Sequence, residues 1–162
     1  MKTLVAYSSL TGNTRRVAEA IFASLKGDKA ILPISEAGDG AGFERIIIGF
    51  WVDKGDANEE ALAFIEKLKG KALGVFATLG ADPTSEHAKK CLDGVLARLL
   101  AKGNEVKASF ICRGAIDPVL IERVKAKWGG QAPQARVDSW TEAASHPDEK
   151  DFANARAAFA AF

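Results

Sequence analysis

Cysteine is scarce in this sequence, neither sign of charge is in real excess, and no apolar run is long. The two cysteines, Cys91 and Cys112, lie far apart in apolar-patterned segments. They read as buried thiols rather than as a disulfide, a metal site or a C-x-x-C redox pair. Lys and Arg number 22 against 21 Asp and Glu, interspersed along the chain, for a formal net charge of +1. That balance argues against nucleic acid and anionic membranes, which favour a concentrated basic face. No segment has the length of a membrane span, and Met1 to Tyr7 lacks the apolar stretch and cleavage site of a secretory signal, so a cytoplasmic location is expected. Internal repeats, low-complexity tracts and linkers are also missing, which leaves one domain over residues 1–162 as the expectation.

What is present is ordinary globular composition, 48% apolar and 27% charged. Five short runs have strand length and β-branched or aromatic content: Lys2 to Tyr7, Ala30 to Ile34, Ile46 to Phe50, Ala72 to Ala77 and Val106 to Cys112. Between several of them apolar residues recur at helical spacing, as in Val17, Ala18, Ile21 and Leu25, or Cys91, Leu92, Val95, Leu96 and Leu99. Strands alternating with helices predict an α/β fold with a parallel sheet covered on both faces. The glycine-rich stretch Ser35 to Gly42 predicts a loop or single turn in place of a helix. Further on, Pro118 to Trp128 reads as a helix ended by Gly129-Gly130, Gln131 to Pro147 as a loop, and Asp148 to Phe162 as a terminal helix docked on the sheet.

The first strand is followed by Ser9-Leu10-Thr11-Gly12-Asn13-Thr14 and then by a helical segment. The first N–H groups of a helix have no intrahelical partner and carry partial positive charge, so an anion fits there. Hydroxyls from Ser9, Thr11 and Thr14 add donors, and Gly12 permits close approach of backbone. A merely capped turn is the bland alternative. There is no G-x-x-x-x-G-K-[ST] lysine for a nucleoside triphosphate and no G-x-G-x-x-G for a dinucleotide, which leaves a phosphate monoester as the best guest.

This loop, in this position, resembles the [ST]-x-T-G-x-[ST] phosphate loop of the flavodoxin family. The resemblance implies a flavodoxin-like three-layer sandwich, a five-stranded parallel sheet in order 2-1-3-4-5, and noncovalently held FMN with its phosphate on Ser9, Leu10, Thr11, Gly12, Asn13 and Thr14. In an open α/β sheet the ligand sits outside the carboxyl ends of the strands where strand order reverses. The turn after the third strand offers Phe50, Trp51, Val52, Asp53 and Gly55, with Trp51 to stack on the flavin and, by analogy, a Gly55 carbonyl turned toward flavin N5. The turn after the fourth offers Thr78, Leu79, Gly80 and Ala81 as main-chain partners, with Gly80 letting backbone approach the ring. Many flavodoxins carry a tyrosine in that second loop; here Ala81-Asp82 stands instead, which predicts a more open flavin. His87 reads either as part of a helix first turn capped by Ser85 or as a titrating neighbour of the flavin. The phrases FWVDKG, TLGADPTSEH and ICRGAIDP also resemble a subgroup of flavodoxin-like proteins from anaerobic gut bacteria, some of them linked to bilirubin reduction.

The resemblance implies a monomeric one-electron carrier, with no catalytic acid or nucleophile and no metal, that docks on redox partner proteins through a surface of mixed charge. Rival functions are an FMN-dependent NAD(P)H:quinone or azo reductase, and a noncatalytic flavodoxin-like module. A phosphorylated receiver domain needs an acidic pair that the first strand lacks, and a low-molecular-weight phosphatase needs a cysteine in the loop that is not there.

Overall fold

A computed structural model describes residues 1–162. The sheet is built from β1 (Thr3–Tyr7), β2 (Lys29–Pro33), β3 (Arg45–Asp53), β5 (Ala72–Leu79) and β6 (Glu105–Arg113), in order β2-β1-β3-β5-β6, with neighbouring strands parallel. A two-residue strand, β4 (Asp56–Ala57), folds back antiparallel on the end of β3. Apart from that hairpin, the order is the one the flavodoxin resemblance implies, with β5 and β6 as its fourth and fifth strands.

Strand parity builds the core. In β1, Leu4 and Ala6 face one layer and Val5 the other; in β3, Ile46, Ile48 and Phe50 face the first layer and Ile47 the second. The first layer is closed by α2 (Glu59–Ile65) and α3 (Glu86–Ala101) through Phe64, Ile65, Val95 and Leu99. On the second face lie α1 (Asn13–Ser24) and α6 (Glu149–Ala158), with Val17, Ile21 and Ala155, and with Phe159 just beyond α6, edge-on to Phe76 at 6.4 Å. Both faces are covered, so the central strands are apolar on both sides, which is why they read as short continuous runs.

Between β2 and β3 there is only a 3-10 turn, Ile34–Glu36, as the glycines predict. The stretch expected as a loop from Gln131 to Pro147 is different: it contains helix α5 (Gln134–Ala144), which buries Trp140 and Ala143. Helix α4 (Pro118–Ala126) starts with proline and is capped by Asp117, and none of its residues is buried.

Candidate functional site

At the carboxyl ends of β1, β3, β5 and β6 the loops converge on a cavity of about 360 Å³. The first turn contributes Ser9, Leu10, Thr11, Asn13 and Thr14; β3 and its hairpin contribute Trp51, Val52, Asp53 and Lys54; β5 contributes Thr78, Leu79 and Gly80. Four residues expected at the site, Gly12, Phe50, Gly55 and Ala81, are not among those that line the cavity. Gly12 is the cap residue of α1, outside the lining. Phe50 is fully buried in the core, because strand β3 continues to Asp53 and parity turns Phe50 inward while the next residue, Trp51, lines the cavity. Gly55 forms the hairpin tip with Lys54, both at positive φ (79° and 50°), as a two-residue link between the paired Asp53 and Asp56 favours. Ala81 lies beyond the lining.

The first turn is arranged around unused donors. Gly12 sits at φ 97°, which favours glycine, and leaves α1 without a side-chain cap. The Ser9 hydroxyl accepts from the N–H groups of Gly12 and Arg15, each at 3.2 Å, which keeps its own O–H free to donate. Buried Thr14 pairs with Thr78 across to β5 at 2.9 Å, and one hydroxyl proton of that pair remains free. The N–H groups of Thr11, Asn13 and Thr14 have no acceptor within the protein, and neither has the exposed Thr11 hydroxyl. Free donors at a helix N-terminus fit a phosphate monoester.

Trp51 is held through its backbone. Its N–H donates to Asn58 Oδ1 at 3.4 Å, and the Asn58 N–H returns to the Trp51 carbonyl at 3.1 Å. Asn58 Nδ2 donates to Ser8 Oγ at 2.8 Å, and Ser8 in turn donates to Glu60. This network, buried at Ser8 and Asn58 and reaching exposed Glu60, ties the ends of β1 and β3 to the start of α2.

Sequence reasoning missed the fourth wall, Gly114, Ala115, Ile116, Asp117 and Leu120, where β6 gives way to α4. The phrase ICRGAIDP runs through Gly114 to Asp117 as part of a family resemblance but says nothing of a cavity; the signal that would have placed it there is the position of β6 beside β5. The wall is stitched to the first turn by Asn13 Nδ2, which donates to the Ala115 carbonyl at 2.8 Å. A side chain at 114 would meet Asn13 Nδ2 at 2.9 Å and would have to displace the donor that holds the Ala115 carbonyl, so glycine suits this position.

The remaining candidates sit outside the cavity. His87 is exposed in the first turn of α3, where Ser85 accepts the Ala88 N–H at 3.2 Å; its ring lies beside Gly55, and its Nε2 is 3.9 Å from Cys91 Sγ. Burial raises the Cys91 thiol pKa, and burial together with the negative Asp151 and Asp148 pushes Cys112 to about 12. Both thiols therefore stay protonated at neutral pH. Asp82, in place of a loop aromatic, turns onto Thr84, accepting its N–H at 2.8 Å and its hydroxyl at 2.7 Å, and these bonds hold its carboxyl below the ordinary value.

Residues 4–160 match the family model described as a flavodoxin domain. The chain belongs to the flavodoxin family. Among curated relatives, this flavodoxin is 31% identical to the flavodoxin-like domain-containing protein BilS of Clostridioides difficile strain CD3, over 93% of this chain and 90% of that one. It is 30% identical to the protein of the same name from Clostridium symbiosum strain WAL-14163, over 94% and 91%. Oxidised flavodoxin 2 from Bacillus cereus shares the fold at a TM-score of 0.66, covering 99% of both chains at 22% identity. No helix of this flavodoxin is long and apolar enough to cross a membrane.

Proposed function

We propose that this flavodoxin binds FMN noncovalently and relays electrons, one at a time, between redox partner proteins. The observation that carries the reading is the set of free N–H groups of Thr11, Asn13 and Thr14 at the start of α1, opening into the same cavity as Trp51 and the β5 end. The flavin supplies redox chemistry that no side chain has. The protein's residues bind and orient. Free N–H groups of Thr11, Asn13 and Thr14 take the phosphate, and Ser9 and Thr11 donate their hydroxyl protons to it. Trp51, fixed by Asn58, offers an aromatic face, and Thr78, Leu79 and Gly80 offer backbone to the polar end of the ring.

A relay needs no general acid or nucleophile, and the two thiols are masked. With a formal charge of +1, the docking surface for donor and acceptor is mixed, so association should depend less on salt than for a strongly charged carrier.

The test is an absorbance titration of the purified protein with FMN, followed by stepwise anaerobic reduction. Binding with two resolved one-electron steps is the expected result. A single two-electron step with steady NAD(P)H consumption on a quinone would replace the carrier by a reductase, and no FMN binding would reject both.

A further inference from the structure

We infer that Ile116 and Leu120, at the junction of β6 and α4, form the second wall of the flavin cleft, facing the ring from the side that Trp51 does not cover. The inference rests on the FMN reading and says which of this chain's residues replace the missing loop aromatic.

Three observations converge on it. First, the loop after β5 cannot supply that wall: Ala81 does not line the cavity, and Asp82 is folded onto Thr84. Second, the space beside Gly80 is already occupied. A side chain at 80 would lie 2.4 Å from Ile116 Cγ1 and 2.8 Å from Ile116 Cδ1, so the missing side chain at 80 makes room for Ile116, while the Gly80 backbone still lines the cavity. An aliphatic from the next strand's loop thus stands against β5's end, beside the loop in which many flavodoxins carry a tyrosine and this chain has Ala81-Asp82.

Third, the junction is fixed in place. The Gly114 N–H donates to the Leu79 carbonyl, Asn13 Nδ2 to the Ala115 carbonyl, and the Ala115 N–H to the His146 carbonyl, each at 2.8 Å. The wall is therefore held against β5, against the phosphate loop and against the start of the terminal helix. Asp117 caps the next helix through the Val119 N–H at 2.9 Å, and Leu120 lines the cavity while 49% of its surface is exposed. A large aliphatic on a cavity wall with half its surface uncovered is suited to an apolar ligand face.

The arrangement bears on chemistry. A hydride donor must stack on a face of the ring, whereas an electron can leave through an edge. Walls on both faces favour relay.

The experiment measures dissociation constants for FMN and for riboflavin, by quenching of flavin fluorescence, in the wild type, Leu120→Ala, Leu120→Met and Ile116→Ala. Loss of a ring contact should weaken both ligands alike, by about tenfold for Leu120→Ala. Leu120→Met should restore most of the affinity, because it refills the same volume. Leu120 is half exposed, so its truncation should leave the melting temperature nearly unchanged; Ile116→Ala reports on the same wall from its partly buried end beside Gly80. If the wild type binds FMN and neither alanine variant changes either constant, the wall is rejected and the flavin reading stands. If the wild type binds neither flavin, both fall together.

Discussion

Helices α1 and α6 lie side by side on one face of the sheet, joined by Arg16, which donates to the Pro147 carbonyl at 3.3 Å and lies over the Phe152 ring. Their first turns are opposite in design. At α6, Asp148 accepts the Asp151 N–H at 3.0 Å, Asp151 accepts the Asp148 N–H at 2.9 Å, and His146 Nδ1 stands 2.6 Å from the Asp151 carboxylate. At α1 a glycine holds the cap position and the first turn has no acidic residue. Both helices carry the same backbone dipole, so the difference lies in the side chains alone. One end is completed by its own chain; the other is left for an anion from outside.

The strongest way to break this contrast is to give α1 its own anion. Thr11→Asp places a carboxylate beside the free N–H groups, and repulsion of several kcal/mol should weaken FMN by about hundredfold or more. Riboflavin, which lacks the phosphate, should lose far less; equal losses would show that the first turn does not hold phosphate. Thr14→Val is milder. It removes a donor and the tie to Thr78, so FMN affinity should drop about tenfold with riboflavin again spared, as isothermal titration of both ligands would reveal.

Gly12→Ala tests the backbone. At φ 97° an alanine is strained by about 1–2 kcal/mol, read as a lower urea midpoint in the ligand-free protein. The smallest effect belongs to α6. The Asp148 carboxyl is held below its ordinary value, first by the Asp151 N–H it accepts. Its contribution is therefore present above the unfolded aspartate value of about 4 and fades as pH falls below that. Asp148→Ala should lower the melting temperature by a few degrees at neutral pH, leave FMN affinity alone, and converge with the wild type in acid. A constant gap down to low pH would mean that the carboxylate's charge plays no part in the cap.

The strands and the parallel sheet were legible because apolar runs and their spacing are local signals, and the strand order followed only from the family resemblance that one loop motif carries. The first turn was legible for the same reason. The rest was not local. Helix α5 was hidden by Pro133 and by a mixed surface on which only Trp140 and Ala143 go inward. Phe50 and Trp51 are adjacent aromatics whose opposite fates depend on how far β3 extends, and the two-residue β4 that ends it is too short to announce itself. Gly80 looked like room for a ligand, yet the space is taken by Ile116, 36 positions onward, which no spacing rule connects to it.

Helix α4 has a consequence in the time domain. It is nine residues long with none of them buried, and helices of that length are marginal on their own in water. Its amide hydrogens should exchange through local opening that leaves the sheet intact, far sooner than those of β3, whose centre is buried on both sides. A ligand resting on Leu120 would slow that exchange. The α4 amides are thus a built-in clock for occupancy of the cleft, readable without following colour or current.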